Sequence, residues 1–150
     1  MQVADHVRIS FELENTYFTE VESIWALPHT EGGYVIDNVP FFVPGISVGD
    51  RVGAENIDGR LWATSVIAKG SCGTTRVMHY SAYPTGDLAA IEILVPRFCD
   101  LGADGEVAQD IPLLALCFSA DRRSMELRAE LHRLYRREEI AIEESDVPEW

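Results

Sequence analysis

Residues Val7 to Glu14, VRISFELE, alternate without a break, with Val7, Ile9, Phe11 and Leu13 on one face and Arg8, Ser10, Glu12 and Glu14 on the other. Period two of this kind predicts a half-buried β-strand. A second β-rich run, Val21 to Leu27, ends at Pro28, and the turn residues HTEGG (29–33) separate it from an extended stretch at Tyr34–Asn38, so a hairpin is expected. Arg51–Asn56 and Leu61–Lys69 flank Asp58-Gly59, a dipeptide suited to positive φ, which predicts another hairpin. Beyond Gly70 and Gly73, the run Thr75–Tyr80 is again strand-like. Five or six short strands so dense in turn signals predict a small β-barrel or a curled antiparallel sheet.

Between the first strands and the Asp58-Gly59 hairpin lies VIDNVPFFVPGISVGDR (35–51), where Pro40 and Pro44 bracket Phe41 and Phe42. Proline lacks the N–H that a sheet ladder needs and restricts the residue before it, so a helix or long central strand is excluded. The stretch is expected to be an extended, buried connector joining one hairpin to the next.

After residue 80 the period changes. Leu88, Ile91, Val95, Phe98 and Leu101 follow helical spacing, with Thr85 or Asp87 as N-cap, Gly102 as the stop and Pro96 expected to kink or shorten the helix. A loop, ADGEVAQD, leads to the apolar strand Leu113–Ser119. Ser119 or Asp121 then caps a second helix running to about Glu138, with Leu127, Leu131 and Leu134 as its buried stripe, and Ile140–Glu144 alternates as a last strand. The predicted fold class is α+β: the N-terminal barrel or curled sheet, then a β-α-β-α-β layer with its helices on one face of a mixed sheet. The expected division is a β-rich subdomain at 1–80 and an α+β subdomain at 81–150, packed together as one unit, with the boundary near 80–86.

Charge narrows the partners. The chain carries 25 acidic and 12 basic residues, a formal charge of −13, and its first 75 residues hold only 4 of the basic ones. Such a field repels nucleic acid and anionic membranes and speeds encounter with basic proteins. No apolar run approaches a membrane span and no secretory signal pattern opens the chain, so a cytoplasmic location is expected. Three scattered cysteines, Cys72, Cys99 and Cys117, suggest neither a disulfide framework nor a zinc ribbon.

The segments VESIWA (21–26), GYVIDNVPFFVPGISVGDRV (33–52), DGRLW (58–62) and TTRV (74–77), in that order and spacing, resemble a bacterial family catalogued as domain of unknown function 4265. The resemblance covers about residues 7–144 and implies a fold but no known reaction. The turn GSCGTT departs from the Gly-His-Ser type expected of the family, so any role of a histidine at position 72 is absent, and the C-terminal strand lacks the family's aromatics.

The constellations that could carry chemistry are thin. GSCGTTR (70–76) has glycines and an arginine but not the GK[ST] of a phosphate loop, and it joins two strands where such a loop precedes a helix, so a hairpin-type turn is expected. Arg76 is expected to pair with Asp50, Glu55 or Glu22. Cys72 and His79, with Ser71, sketch a nucleophile and base without an orienting third group. His6, His29, His79 and His132 have no metal-ligand spacing, and Glu143, Glu144 and Asp146 are expected to form a solvated acidic edge. No catalytic residue, cofactor or metal is assigned. The expected function is a non-enzymatic, cytosolic protein-binding domain, an antitoxin-like immunity protein that covers the basic channel of a toxin acting on nucleic acid. Its candidate contact residues are Asp37, Asp50, Trp25, Trp62 and Arg76, an aromatic anchor with an acidic rim. The alternative is a small-molecule-binding domain or enzyme with a cleft between the subdomains lined by Arg76, Asp37, Asp50 and His79.

Overall fold

A computed structural model describes residues 5–14, 19–80, 88–108, 111–119 and 121–146. Five strands close into a barrel: β1 (Val7–Glu12), β2 (Val21–Pro28), β3 (Tyr34–Ile36), β4 (Arg51–Ile57) and β5 (Arg60–Ala68). Neighbours in this meander are antiparallel, and the seam is a short parallel pairing of β1 with β5, Ile9 opposite Leu61 and Ser10 opposite Trp62. The alternation of β1 sends Ile9 and Phe11 inward to meet Ile24, Ala26, Ile36 and Val52. Asp58 and Gly59 turn the β4–β5 hairpin with φ of 53° and 86°, the mirror-image turn that this dipeptide favours.

The second layer is a four-stranded sheet in the order β7-β8-β6-β9, formed by β6 (Cys72–His79), β7 (Asp104–Val107), β8 (Leu114–Ser119) and β9 (Ile140–Asp146). All its pairings are antiparallel, in place of the mixed sheet expected. The change of sheet comes at residues 69–71, between β5 and β6, ahead of the 80–86 boundary expected, because β6 pairs with β8 and β9. Helices α1 (Ala89–Asp100) and α2 (Arg122–Arg136) cover one face: Ile91, Leu94 and Phe98 from α1 and Leu127, Leu131 and Leu134 from α2 pack on Val77, Leu114, Leu116, Phe118 and Ile140.

Three local expectations change. The segment read as a loop before Pro112 contains β7, a four-residue edge strand that pairs with β8. Helix α1 runs through Pro96 to Asp100; proline lacks the N–H that would bond the carbonyl of Glu92. Leu88 is its N-cap, and Thr85 and Asp87 lie outside the described residues. In α2 the cap is Asp121, whose side chain accepts from the Arg123 and Ser124 N–H groups while Ser124 Oγ accepts from the Asp121 N–H.

The Pro-bracketed stretch does not pass from one hairpin to the next. Strands β3 and β4 pair with each other, Tyr34 opposite Val52, so residues 37–50 are one long hairpin loop leaving the barrel and returning to it. The loop divides its apolar side chains: Val43, Ile46 and Phe42 pack with the barrel core, while Val39, Phe41 and Val48 pack on Ala115, Cys117 and Cys72 of the second sheet. That sheet is thus covered by helices on one face and by this loop on the other.

Candidate functional site

The expected contact residues separate into two environments. Asp50 and Arg76 lie at the junction between the barrel loop and the second sheet, and Trp25, Trp62 and Asp37 lie on the barrel.

At the junction every charged group is engaged by the backbone. Fully buried Asp50 accepts the N–H of Ser47 at 2.9 Å through one oxygen and that of Gly70 at 2.7 Å through the other, and it pairs with Lys69. Lys69 also donates to the Gly45 carbonyl. Here Gly70 passes so close that a Cβ on it would stand 2.8 Å from the carbonyl of Gly49. Gly70 therefore allows a close backbone approach to the 37–50 loop at Gly49, and because β5 and β6 belong to different sheets the GSCG turn is not the hairpin expected. Glu22, at the start of β2, accepts the N–H groups of Phe41, Phe42 and Val43 at 2.6, 2.9 and 2.9 Å. Arg76 donates to the Val43 carbonyl at 2.7 Å and to Glu143 at 3.0 Å. Its carboxylate partner is thus Glu143, opposite it in the β6–β9 register, and not Asp50, Glu55 or Glu22. Burial holds the Arg76 guanidinium below its ordinary pKa, against the opposing pull of Glu143 and Glu22.

The other residues with chemical potential are dispersed. Cys72 and His79 close opposite ends of β6, about 23 Å apart at the rise of an extended strand. Cys72 instead neighbours Cys117, whose thiol is pushed up to about 12 by burial and then by Cys72, so Cys117 is a poor nucleophile. At the C-terminal edge Glu143 holds Arg76, Glu144 accepts from Arg128, and the Asp146 side chain lies outside the described residues. Among the described residues no three His, Cys, Asp or Glu side chains gather as metal ligands would.

The barrel's outer face is different. Residues opposite each other on antiparallel strands share a face, so Arg8 of β1 lies over Trp25 of β2, its guanidinium 5.0 Å from the ring centroid. One step along, Ser10 bonds Ser23 through their hydroxyls at 3.0 Å. Arg60, the first residue of β5, lies over Trp62 two positions on at 4.8 Å. It donates through Nε to Ser10 Oγ at 2.8 Å and through Nη2 to Ser23 Oγ at 3.4 Å. Arg8 Nη2 reaches the Ser23 carbonyl at 3.5 Å. Both guanidinium groups therefore converge on Ser23. They line one open cleft of about 670 Å³ with Val7, Ser10, Gly59 and Leu61. Among the described residues no carboxylate lies within ion-pair distance of Arg8 or Arg60.

Trp25 is 44% exposed and stands beside a second depression lined by His6, Asp37 and Asn38. Asp37 bonds His6, whose ring meets Trp25 edge-on, and the Trp25 backbone N–H donates to Asn38 Oδ1 at 2.6 Å. The ionic neighbours of Trp25 are Arg8 and the Asp37–His6 pair, and those of Trp62 are Arg60 and, opposite it in the β4–β5 register, Glu55. Arg8, Ser10, Ser23 and Arg60 were not singled out from sequence. Their only signal there is the polar side of VRISFELE and the arginine following Asp58-Gly59.

Fold and site together define a two-layer α+β protein that presents a cation-lined, tryptophan-flanked barrel face. Residues 22–142 match the family described as Domain of unknown function (DUF4265), and the chain belongs to that family. Among solved structures it is similar to one titled "Novel crystal structure of a hypothetical protein from Neisseria gonorrhoeae", at 17% identity and a TM-score of 0.71, covering 100% of this chain and 99% of the other. That likeness shows a shared fold. No curated protein matches the chain. Among the described residues no helix is long and apolar enough to cross a membrane.

Proposed function

We propose that this chain is a non-catalytic binding domain that recognises a basic protein, in the manner of an antitoxin-like immunity protein, through the tryptophan-bearing outer face of its barrel. The observation that carries this reading is the exposure of Trp25 on a closed barrel, with Trp62 and two arginines on the same face. Tryptophan and arginine are the residues that most often dominate binding energy at interfaces. The charge of −13 acts at longer range and draws a basic partner to the surface. Asp50 and Arg76 have no part in the contact, because the junction engages both.

The test is affinity purification from the native host, followed by association kinetics at about 50 mM and about 500 mM salt. A partner is expected whose on-rate falls by about tenfold or more at the higher salt and whose dissociation accelerates in Trp25→Ala. Recovery of no partner, or association indifferent to salt, removes the reading.

A small-molecule reading is favoured by one observation, the cleft between Arg8 and Arg60. It moves the site expected between the subdomains onto the barrel, since Arg76 and Asp50 are bound into the junction.

A further inference from the structure

The first 75 residues hold 4 basic side chains against 10 acidic ones, and two of those four converge on a single residue, Ser23. Like charges brought together on an acidic protein repel each other, and among the described residues no carboxylate pairs with either. The indole rings explain how the pair is held. Each guanidinium rests its face on a tryptophan, which leaves the N–H groups along its edge directed outward. Arg8 directs one of its five N–H donors, and Arg60 two, at protein oxygens, so most remain open to the cleft. The Ser10 and Ser23 hydroxyls form the floor between them, with Ser10 itself only 2% exposed.

We infer that this cleft is a binding site for the phosphate group of a small phosphorylated molecule. Two cations approaching from β1 and β5 match a dianion with oxygens on several sides; a carboxylate carries one charge and two coplanar oxygens, which a single guanidinium satisfies. The cleft of about 670 Å³ has room for more than the phosphate, and Val7 and Leu61 give the remainder an apolar wall. A polyanion is disfavoured because the charge of −13 opposes an extended phosphate chain more strongly than one small dianion. The inference deepens the small-molecule reading and is independent of a protein partner.

The experiment titrates the full chain with inorganic phosphate, phenyl phosphate, acetate and phenol at constant ionic strength, following amide shifts of Ser10, Ser23, Gly59 and Leu61 by NMR. Saturable shifts at these residues are expected with both phosphates, tighter for phenyl phosphate, and at least about tenfold weaker with acetate. Arg8→Gln and Arg60→Gln should each weaken binding by about tenfold or more, and Arg136→Gln on α2 should not change it. Arg8→Gln is the safer variant, since Arg8 donates to only one carbonyl of the fold besides stacking on Trp25, whereas Arg60 bonds two serine hydroxyls, and thermal unfolding of each variant separates loss of binding from loss of structure. Binding of phenol without either phosphate keeps a small-molecule cleft and overturns the phosphate. Shifts indifferent to all four ligands overturn both, as does unchanged phosphate affinity in folded Arg8→Gln and Arg60→Gln.

Discussion

Arg76 and Arg60 are the same side chain in opposite circumstances. Arg76 is 5% exposed and fixed between the Val43 carbonyl and Glu143, directly against a loop whose N–H groups are gathered by Glu22 and Asp50. Arg60 lies on the open face of the barrel, with Arg8 directed at the same serine and, among the described residues, no carboxylate within ion-pair distance. A buried charge must be compensated inside the fold, or the desolvation cost is not recovered. An exposed charge need not be, so a pair of exposed arginines held together by stacking retains unfilled hydrogen-bonding capacity. The junction explains why residues 37–50 adopt one conformation, and the barrel face is where an external ligand would change the energy most.

The junction depends most on Asp50. Asp50→Ala removes the acceptor for the Ser47 and Gly70 N–H groups and frees the loop where it meets β6. The expected loss is about 3–5 kcal/mol, a large part of the stability of a domain this size, measured by urea denaturation. A loss under about 1 kcal/mol would mean that the loop is held by Val39, Phe41 and Val48 alone and that its polar contacts are incidental.

Much of this architecture is legible along the chain, because it depends on local pattern. The alternation of VRISFELE, the Asp58-Gly59 turn, the Leu127–Leu131–Leu134 stripe and the Asp121 cap are all short-range signals, and each appears in the fold where expected. What escaped depends on long-range pairing. The sequence DGEV has no apolar period and becomes β7 only because β8 offers it an edge. β6 reads as a strand, but nothing within it says that its partners are β8 and β9 rather than β5. The same limit hides the site: Arg8 and Arg60 are far apart in sequence and meet only because the barrel closes β1 against β5. Asp37, Asp50, Trp25, Trp62 and Arg76 stand out by residue type, and type alone could not separate the residues that build the junction from those that face outward.

Arg8 on the barrel face should respond with the opposite sign. Where Asp50→Ala destabilises, Arg8→Gln should leave stability unchanged or raise it by up to about 0.5 kcal/mol in low-salt, phosphate-free buffer, because it relieves the repulsion from Arg60. Added chloride should narrow the gain by screening. Added phosphate should invert the order, since a ligand that binds only the folded wild-type chain stabilises it. Thermal unfolding in the three buffers reads all of this. A clear loss of stability in phosphate-free buffer would instead place Arg8 with Arg76, as a structural cation.

The smallest effect is expected at Glu130, which shows what an exposed but satisfied arginine pair does. Glu130 on α2 accepts from Arg133 one turn on, at 2.7 and 2.8 Å, and pairs with Arg97 of α1, so two arginines share one carboxylate between the helices. The hydrogen bonds from Arg133, with the nearby guanidinium charges, hold its carboxyl below the ordinary value of 4.5 against a smaller opposing effect of burial. A carboxyl lowered in the folded state stabilises the protein above its unfolded pKa and loses that contribution as pH falls through the folded one. Glu130→Gln should therefore be slightly less stable than wild type at neutral pH, with the gap constant down to about pH 5 and closing below the ordinary value of 4.5. Denaturation across that range checks the slope; a gap that persists unchanged in acid would assign the effect to packing. The variant also leaves Arg97 and Arg133 without the Glu130 carboxylate, as Arg8 and Arg60 have no carboxylate partner among the described residues. If it gains no affinity for phosphate, then unpaired arginines do not suffice, and the site on the barrel depends on what its tryptophans and serines do to position them.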